Sequence, residues 1–130
     1  MLSIDGCLSR LMGVPGARSV TLVDCATGLC VASAGREDVV DRHENAAGTT
    51  EVVRAILADP AMSSTSTGDD IEEIIVCGAN GYHLLAAVGT SADALLFLHL
   101  LIDRTQGNLA LARHRLQTMV QEMAGPERAR

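Results

Sequence analysis

Leu95-Leu96-Phe97-Leu98-His99-Leu100-Leu101-Ile102, followed by Asp103-Arg104-Thr105-Gln106-Gly107-Asn108 and then by the run from Leu109 to Met123, is the stretch that decides the architecture. Its first eight residues are apolar apart from His99 and do not alternate. They are too few to cross a bilayer, which takes ~20 residues as a helix, and they read as a strand buried on both faces in the middle of a sheet. The pattern then changes period. Leu109, Ala112, Leu116, Met119 and Met123 recur at three- and four-residue steps, with Arg113, Arg115 and Gln117 elsewhere on the surface. That spacing draws one apolar stripe on a helix, so a central strand is followed by a helix that lies back across its own sheet.

Working outward, Ser3 is placed to cap a first helix with Ile4, Cys7 or Leu8, and Leu11 facing inward, ended by Gly13 and Pro15. Ser19 to Val23 alternates as a half-buried strand, Asp24 to Gly28 supplies a turn, and Leu29 to Ala34 returns as a hairpin. A second helix follows, with Val39 or Val40, His43, Ala46 or Ala47, Thr50, Val53, and Ile56 or Leu57 at helical spacing. Its inner face is unusually small, which suits either close approach by another backbone or tight seating on its own sheet. Asp59-Pro60 closes it. A polar low-complexity loop and a strand from Ile71 to Cys77 come next, and Gly78-Ala79-Asn80-Gly81 turns into a strand from Tyr82 to Val88. Gly89 to Asp93 turns once more before the central strand. The reading is a single α+β domain over 1–130 in the order α-β-β-α-β-β-β-α, with a mobile loop at 59–70 and a flexible tail at 124–130.

Composition narrows the chemistry. The chain has 130 residues, enough to bury a core without staples, and its only aromatics are Tyr82 and Phe97. Ligand pockets and nucleic-acid stacking platforms favour aromatic walls. All ten basic residues are Arg, and the absence of lysine excludes Walker-A phosphate binding, Schiff-base chemistry and Ser-Lys catalysis. A net charge of −6 argues against nucleic-acid binding. Ten of the sixteen acids fall between Gly35 and Glu73, either as a solvated face or as a surface complementary to a basic partner. Cys7, Cys25, Cys30 and Cys77 form no Cys-x-x-Cys pair, and no signal peptide or membrane span is read at the start, so the expectation is a cytoplasmic protein with reduced thiols and no direct membrane insertion.

No two of the four His and four Cys share a metal-ligand spacing, so neither a metal nor another cofactor is expected. Cys77 with His83 across the hairpin is the one arrangement suggesting a thiol nucleophile, although a Cys in an apolar strand is more often a small hydrophobe. Asp103 to Arg113 reads as punctuation between two elements, with Thr105 or Asn108 capping the last helix. A complete core without a catalytic constellation points to action through another protein.

That segment, together with Val14-Pro15-Gly16-Ala17, Val23-Asp24, Thr27-Gly28-Leu29 and Tyr82-His83-Leu84-Leu85, resembles the Roadblock/dynein light-chain domain over about Ile4 to Met123. It is most similar to the bacterial branch, whose members resemble regulators of small Ras-like GTPases in signal transduction. The resemblance implies a five-stranded antiparallel sheet flanked by helices and no catalytic residues of its own, so no enzyme. It also implies a homodimer in which the second helix and third strand of each copy meet. Carried onto this chain, the interface residues are Ala46, Ala47, Thr50, Val53, Ile71, Glu73 and Ile74; the candidates for binding the GTPase are Arg42, Glu44, Glu51, Asp103 and Arg104. The expected function is a dimeric adaptor or GTPase-activating scaffold that modulates a Ras-like GTPase. A small-molecule sensor module and a Cys-dependent enzyme are the alternatives.

Overall fold

The computed structural model describes residues 3–36, 41–65, 70–90 and 95–124. The expected helix start at Asp38 to Val40, part of the 59–70 loop, and all of the 124–130 tail but its first residue lie outside them. The elements are α1 (Ile4–Leu11), β1 (Ala17–Asp24), β2 (Leu29–Gly35), α2 (Arg42–Ala58), β3 (Glu73–Cys77), β4 (Tyr82–Thr90), β5 (Leu95–Ile102) and α3 (Leu109–Ala124). The five strands form one antiparallel sheet in the order β2-β1-β5-β4-β3. The unbroken apolar run is therefore its middle strand. Phe97, Leu98, Leu100 and Ile102 are all fully buried, and helices cover both faces above them.

Alternation along the strands sorts the core into two layers. On one face Val20, Leu22, Leu84, Ala86, Leu98 and Leu100 pack with Leu8 and Leu11 of α1 and Ala112, Leu116 and Met119 of α3. On the other, Val23, Cys25, Leu85, Ala87 and Phe97 meet Ala46 and Val53 of α2. The first layer is roofed by two helices that touch each other, α1 over β1 and β2 and α3 over β4. In the second layer the single helix α2 leans on β1 and β2.

The local signals explain most boundaries. Ser3 caps α1 through its hydroxyl, which accepts from the Gly6 N–H, though the helix ends at Leu11, two residues before Gly13. Asp41, unnoticed as a cap, accepts from the N–H groups of His43 and Glu44 and starts α2. Asn108 rather than Thr105 caps α3, accepting from the Leu111 N–H, because the Thr105 hydroxyl donates to the Asp103 carboxylate. Gly28 takes a φ of +82° in the first hairpin. The second hairpin is not the tight primed turn that Asn80-Gly81 invites. Pairing stops at Cys77 and Tyr82, leaving four residues in the loop. The glycine at position 81 serves close approach instead, since a Cβ there would lie 2.8 Å from the Ile102 carbonyl oxygen. The third strand starts at Glu73, leaving Ile71 and Glu72 ahead of it, although the Glu72 carbonyl accepts from the Ala87 N–H.

Candidate functional site

Because α2 covers β1 and β2, the same face of β3, β4 and the end of β5 lies open beside it. The opening is a groove of about 530 Å³. One wall is α2, through Asp41, Glu44, Asn45, Gly48, Thr49 and Val52; the floor and far wall are Val76 of β3, His83 and Leu85 of β4, and His99 of β5. Val52 and Val76 are 41% and 44% exposed, a high value for valines flanking a core. Gly48 sits in mid-helix, where Gly costs about 1 kcal/mol relative to Ala. A Cβ at Gly48 would meet nothing within 4 Å, so packing inside the protomer gives no reason for a glycine there.

The two edges of the sheet differ. In β2 the register against β1 slips between Leu22/Ala32 and Val23/Cys30, leaving Val31 as an extra, bulged residue on the outermost strand. A bulge of this kind twists an edge away from further pairing. The other edge, β3, pairs with β4 in unbroken register from Glu73 to Cys77 and exposes Ile75 and Val76. It is tethered to α3 by Glu73, whose carboxylate accepts from the Arg113 guanidinium and from the Gln117 amide.

At the floor of the groove His83 and His99 form a hydrogen-bonded pair, Nδ1 of His83 to Nε2 of His99 at 3.0 Å, with the rings stacked at 5.2 Å. The neighbour above His99 is Thr21, whose hydroxyl accepts from the Asn45 amide of α2. His99 is 6% exposed and its Nδ1 has no hydrogen-bond partner. Burial, and then the charge on His83, push His99 down to about 4; burial lowers His83 as well.

This geometry redistributes the residues singled out from sequence. Ala46, Thr50 and Val53 are buried against the protomer's own sheet, where the Thr50 hydroxyl donates to the Ala46 carbonyl. The small inner face of α2 thus seats the helix tightly on its own sheet. Ala47 is exposed, whereas Ile71 and Ile74 are half-buried against the α2 layer and Glu73 is held by α3. The groove-facing flank of α2 around Gly48 and Val52 escaped sequence reading, because it is one residue removed from the apolar stripe and carries almost no pattern.

Arg42 lines a separate hollow against β1 and β2 with Ser19, Thr21 and Ser33, whereas Asp103 and Arg104 follow β5 at the end of the sheet where β1 and β4 begin. There the Arg104 guanidinium lies over the Tyr82 ring, 5.1 Å from its centroid, and donates to the Gly78 carbonyl. Glu44 and Glu51 lie exposed along α2. The Cys77 and His83 pairing does not form. Cross-strand neighbours are Cys77 with Tyr82 and Val76 with His83, so thiol and imidazole point to opposite faces of the sheet.

The arrangement of five antiparallel strands with two helices on one face and one on the other recurs in solved structures. A Roadblock/LC7 domain from Streptomyces avermitilis superposes with a TM-score of 0.73, covering 93% of this chain and 94% of that one at 18% identity. The chain has the Roadblock/LC7 fold. Within that fold it is also similar to Myxococcus xanthus MglB, with a TM-score of 0.77, 22% identity and coverage of 95% of this chain and 90% of that one. An MglB with a tetrameric arrangement matches with a TM-score of 0.73 and 16% identity, over 91% of this chain and 82% of that one. No protein-family model and no curated relative matches the chain.

Proposed function

We propose that the chain is a homodimeric, non-catalytic adaptor that binds a small Ras-like GTPase and shifts its nucleotide state or location. The observation that carries the self-association is the half-roofed sheet: one face has two helices, the other one helix beside an open groove. A second copy related by a two-fold axis covers that groove, with Gly48 giving the close approach that nothing in the protomer uses. The regular edge of β3 stands next to this groove and the bulged edge of β2 is remote from it, which favours the same side for strand addition. Similarity to two MglB structures and the resemblance of the sequence to bacterial Roadblock domains support the GTPase as partner. Regulation then follows from differential affinity for the two nucleotide states.

The interface reading is tested by Val52→Arg and Val76→Arg, each placing a charge in the groove; sedimentation equilibrium is expected to show monomers that remain folded. An unchanged dimer assigns the interface elsewhere. The partner reading is tested by capture of a Ras-like GTPase loaded with GDP or a GTP analogue, with unequal retention expected; equal, negligible retention in both states removes it. The groove volume also lies within the range of ligand pockets, ~300–1,000 Å³, which gives the sensor module its one supporting observation.

A further inference from the structure

The histidine pair is unexplained by the fold. Leu85 and Phe97 beside it are buried and apolar, whereas the pair leaves one buried ring nitrogen without a partner, an unfavourable state for a polar atom. Its place is distinctive: His83 and His99 meet at the bottom of the groove into which the second copy is proposed to seat.

We propose that the His83–His99 pair couples self-association to proton concentration, the groove accepting a second copy when both rings are neutral and rejecting it when the pair carries a proton. This rests on the dimer reading above and adds a control to it. Every group around the pair bears on the sign. From β1, β3 and β4 the neighbours are Thr21, Val76 and Leu85, none of them charged. From α2 they are Asn45, Gly48, Thr49 and Val52, with the Asp41 and Glu44 carboxylates on the exposed rim. The Asp41 carboxylate is already occupied by the two N–H groups it caps. Neither ring has a carboxylate hydrogen-bonded to it among the described residues, and what moves both is loss of water. A second copy laid over the groove removes more water from the rings, which disfavours the charged form further. The free protomer therefore binds the proton better than the dimer does, and acid favours the free protomer.

The test is sedimentation velocity over a concentration series of the full chain at pH 7, 6, 5 and 4.5, with far-UV circular dichroism on the same samples to confirm that the chain stays folded. Because burial holds both rings below the ordinary histidine value, dimer dissociation is expected to be flat near neutrality and to strengthen only as pH falls below about 6.5, approaching about tenfold per pH unit for one excluded proton at the acid end. The double variant His83→Asn/His99→Gln keeps hydrogen-bonding atoms at Nδ1 and Nε2 without a titrating group, and is expected to dimerise with that dependence abolished. If the variant does not fold, dissociation calorimetry of the unmodified chain in two buffers of different ionisation enthalpy counts the protons taken up. The proposal is overturned by a dimer whose affinity is flat from pH 7 to 4.5, by an equal slope in the double variant, or by no proton uptake at the acid end. A chain that is monomeric at every pH overturns the dimer reading itself, a separate result.

Discussion

His99 shows how one residue records a conflict between core and surface. It occupies a position in the central strand where its neighbours are Leu98 and Leu100, and its burial holds the ring neutral, with its pKa lowered to about 4. The unfolded chain restores an ordinary histidine near 6.5, so between those values the unfolded state binds more protons. The contribution of His99 to stability is intact above pH 6.5 and is lost as pH falls toward 4, by about 2 kcal/mol between pH 7 and pH 5. Thermal unfolding followed by circular dichroism is expected to show that slope, and His99→Gln to flatten it. The carboxylates of Asp41, Asp70 and Asp103 are lowered by the hydrogen bonds they accept, so their stabilisation is present above about pH 4 and disappears only below it. The two windows are separable in one titration. Phe97, the largest fully buried side chain, is the simplest packing test: Phe97→Ala is expected to lower unfolding free energy by about 3–5 kcal/mol in a denaturant melt.

Among the elements, α2 has divided duties. Its buried side, Ala46, Thr49, Thr50 and Val53, seats the helix on β1 and β2, while Gly48 and Val52 border the groove. Gly48→Ala separates the two: the protomer is expected to gain about 1 kcal/mol from helix propensity while the dimer weakens, so denaturation and sedimentation move in opposite directions. Ala46→Arg, by contrast, forces a guanidinium into the core and is expected to unfold the chain rather than separate two copies. The elements themselves were legible in sequence because each carries a period. Leu95 to Ile102 announced a central strand, Leu109 to Met123 a packed helix, and Gly28 a turn. What stayed hidden was relational. Nothing in Ala46, Ala47, Gly48 and Thr50 says which of them faces the sheet, since all four are small, and nothing near His83 says that its partner stands sixteen residues away rather than at Cys77. Apolar spacing in the sequence extends back to Val39, whereas the described helix begins where the Asp41 carboxylate accepts from the first free N–H groups.

At the scale of the molecule, the layers are unequal. One face of the sheet has a complete two-helix roof and the other a single helix beside an open groove, the asymmetry from which the proposed dimer is argued. The two edges carry the same asymmetry. Arg113 and Gln117 hold the start of β3 against α3, so that edge is presented at a set height beside the groove. Arg113→Ala is expected to lower stability by no more than about 1 kcal/mol, as for other partly exposed ion pairs, and to leave the dimer formed.

The extra residue at Val31 has a consequence for growth. A flat sheet with two equal margins adds chains without end, as fibres do. Here the strand opposite β3 is crooked by one residue, so the molecule has a single margin fit for a neighbour. In the proposed dimer, two such margins facing each other would leave no third, and growth would stop at two by arithmetic rather than by a barrel.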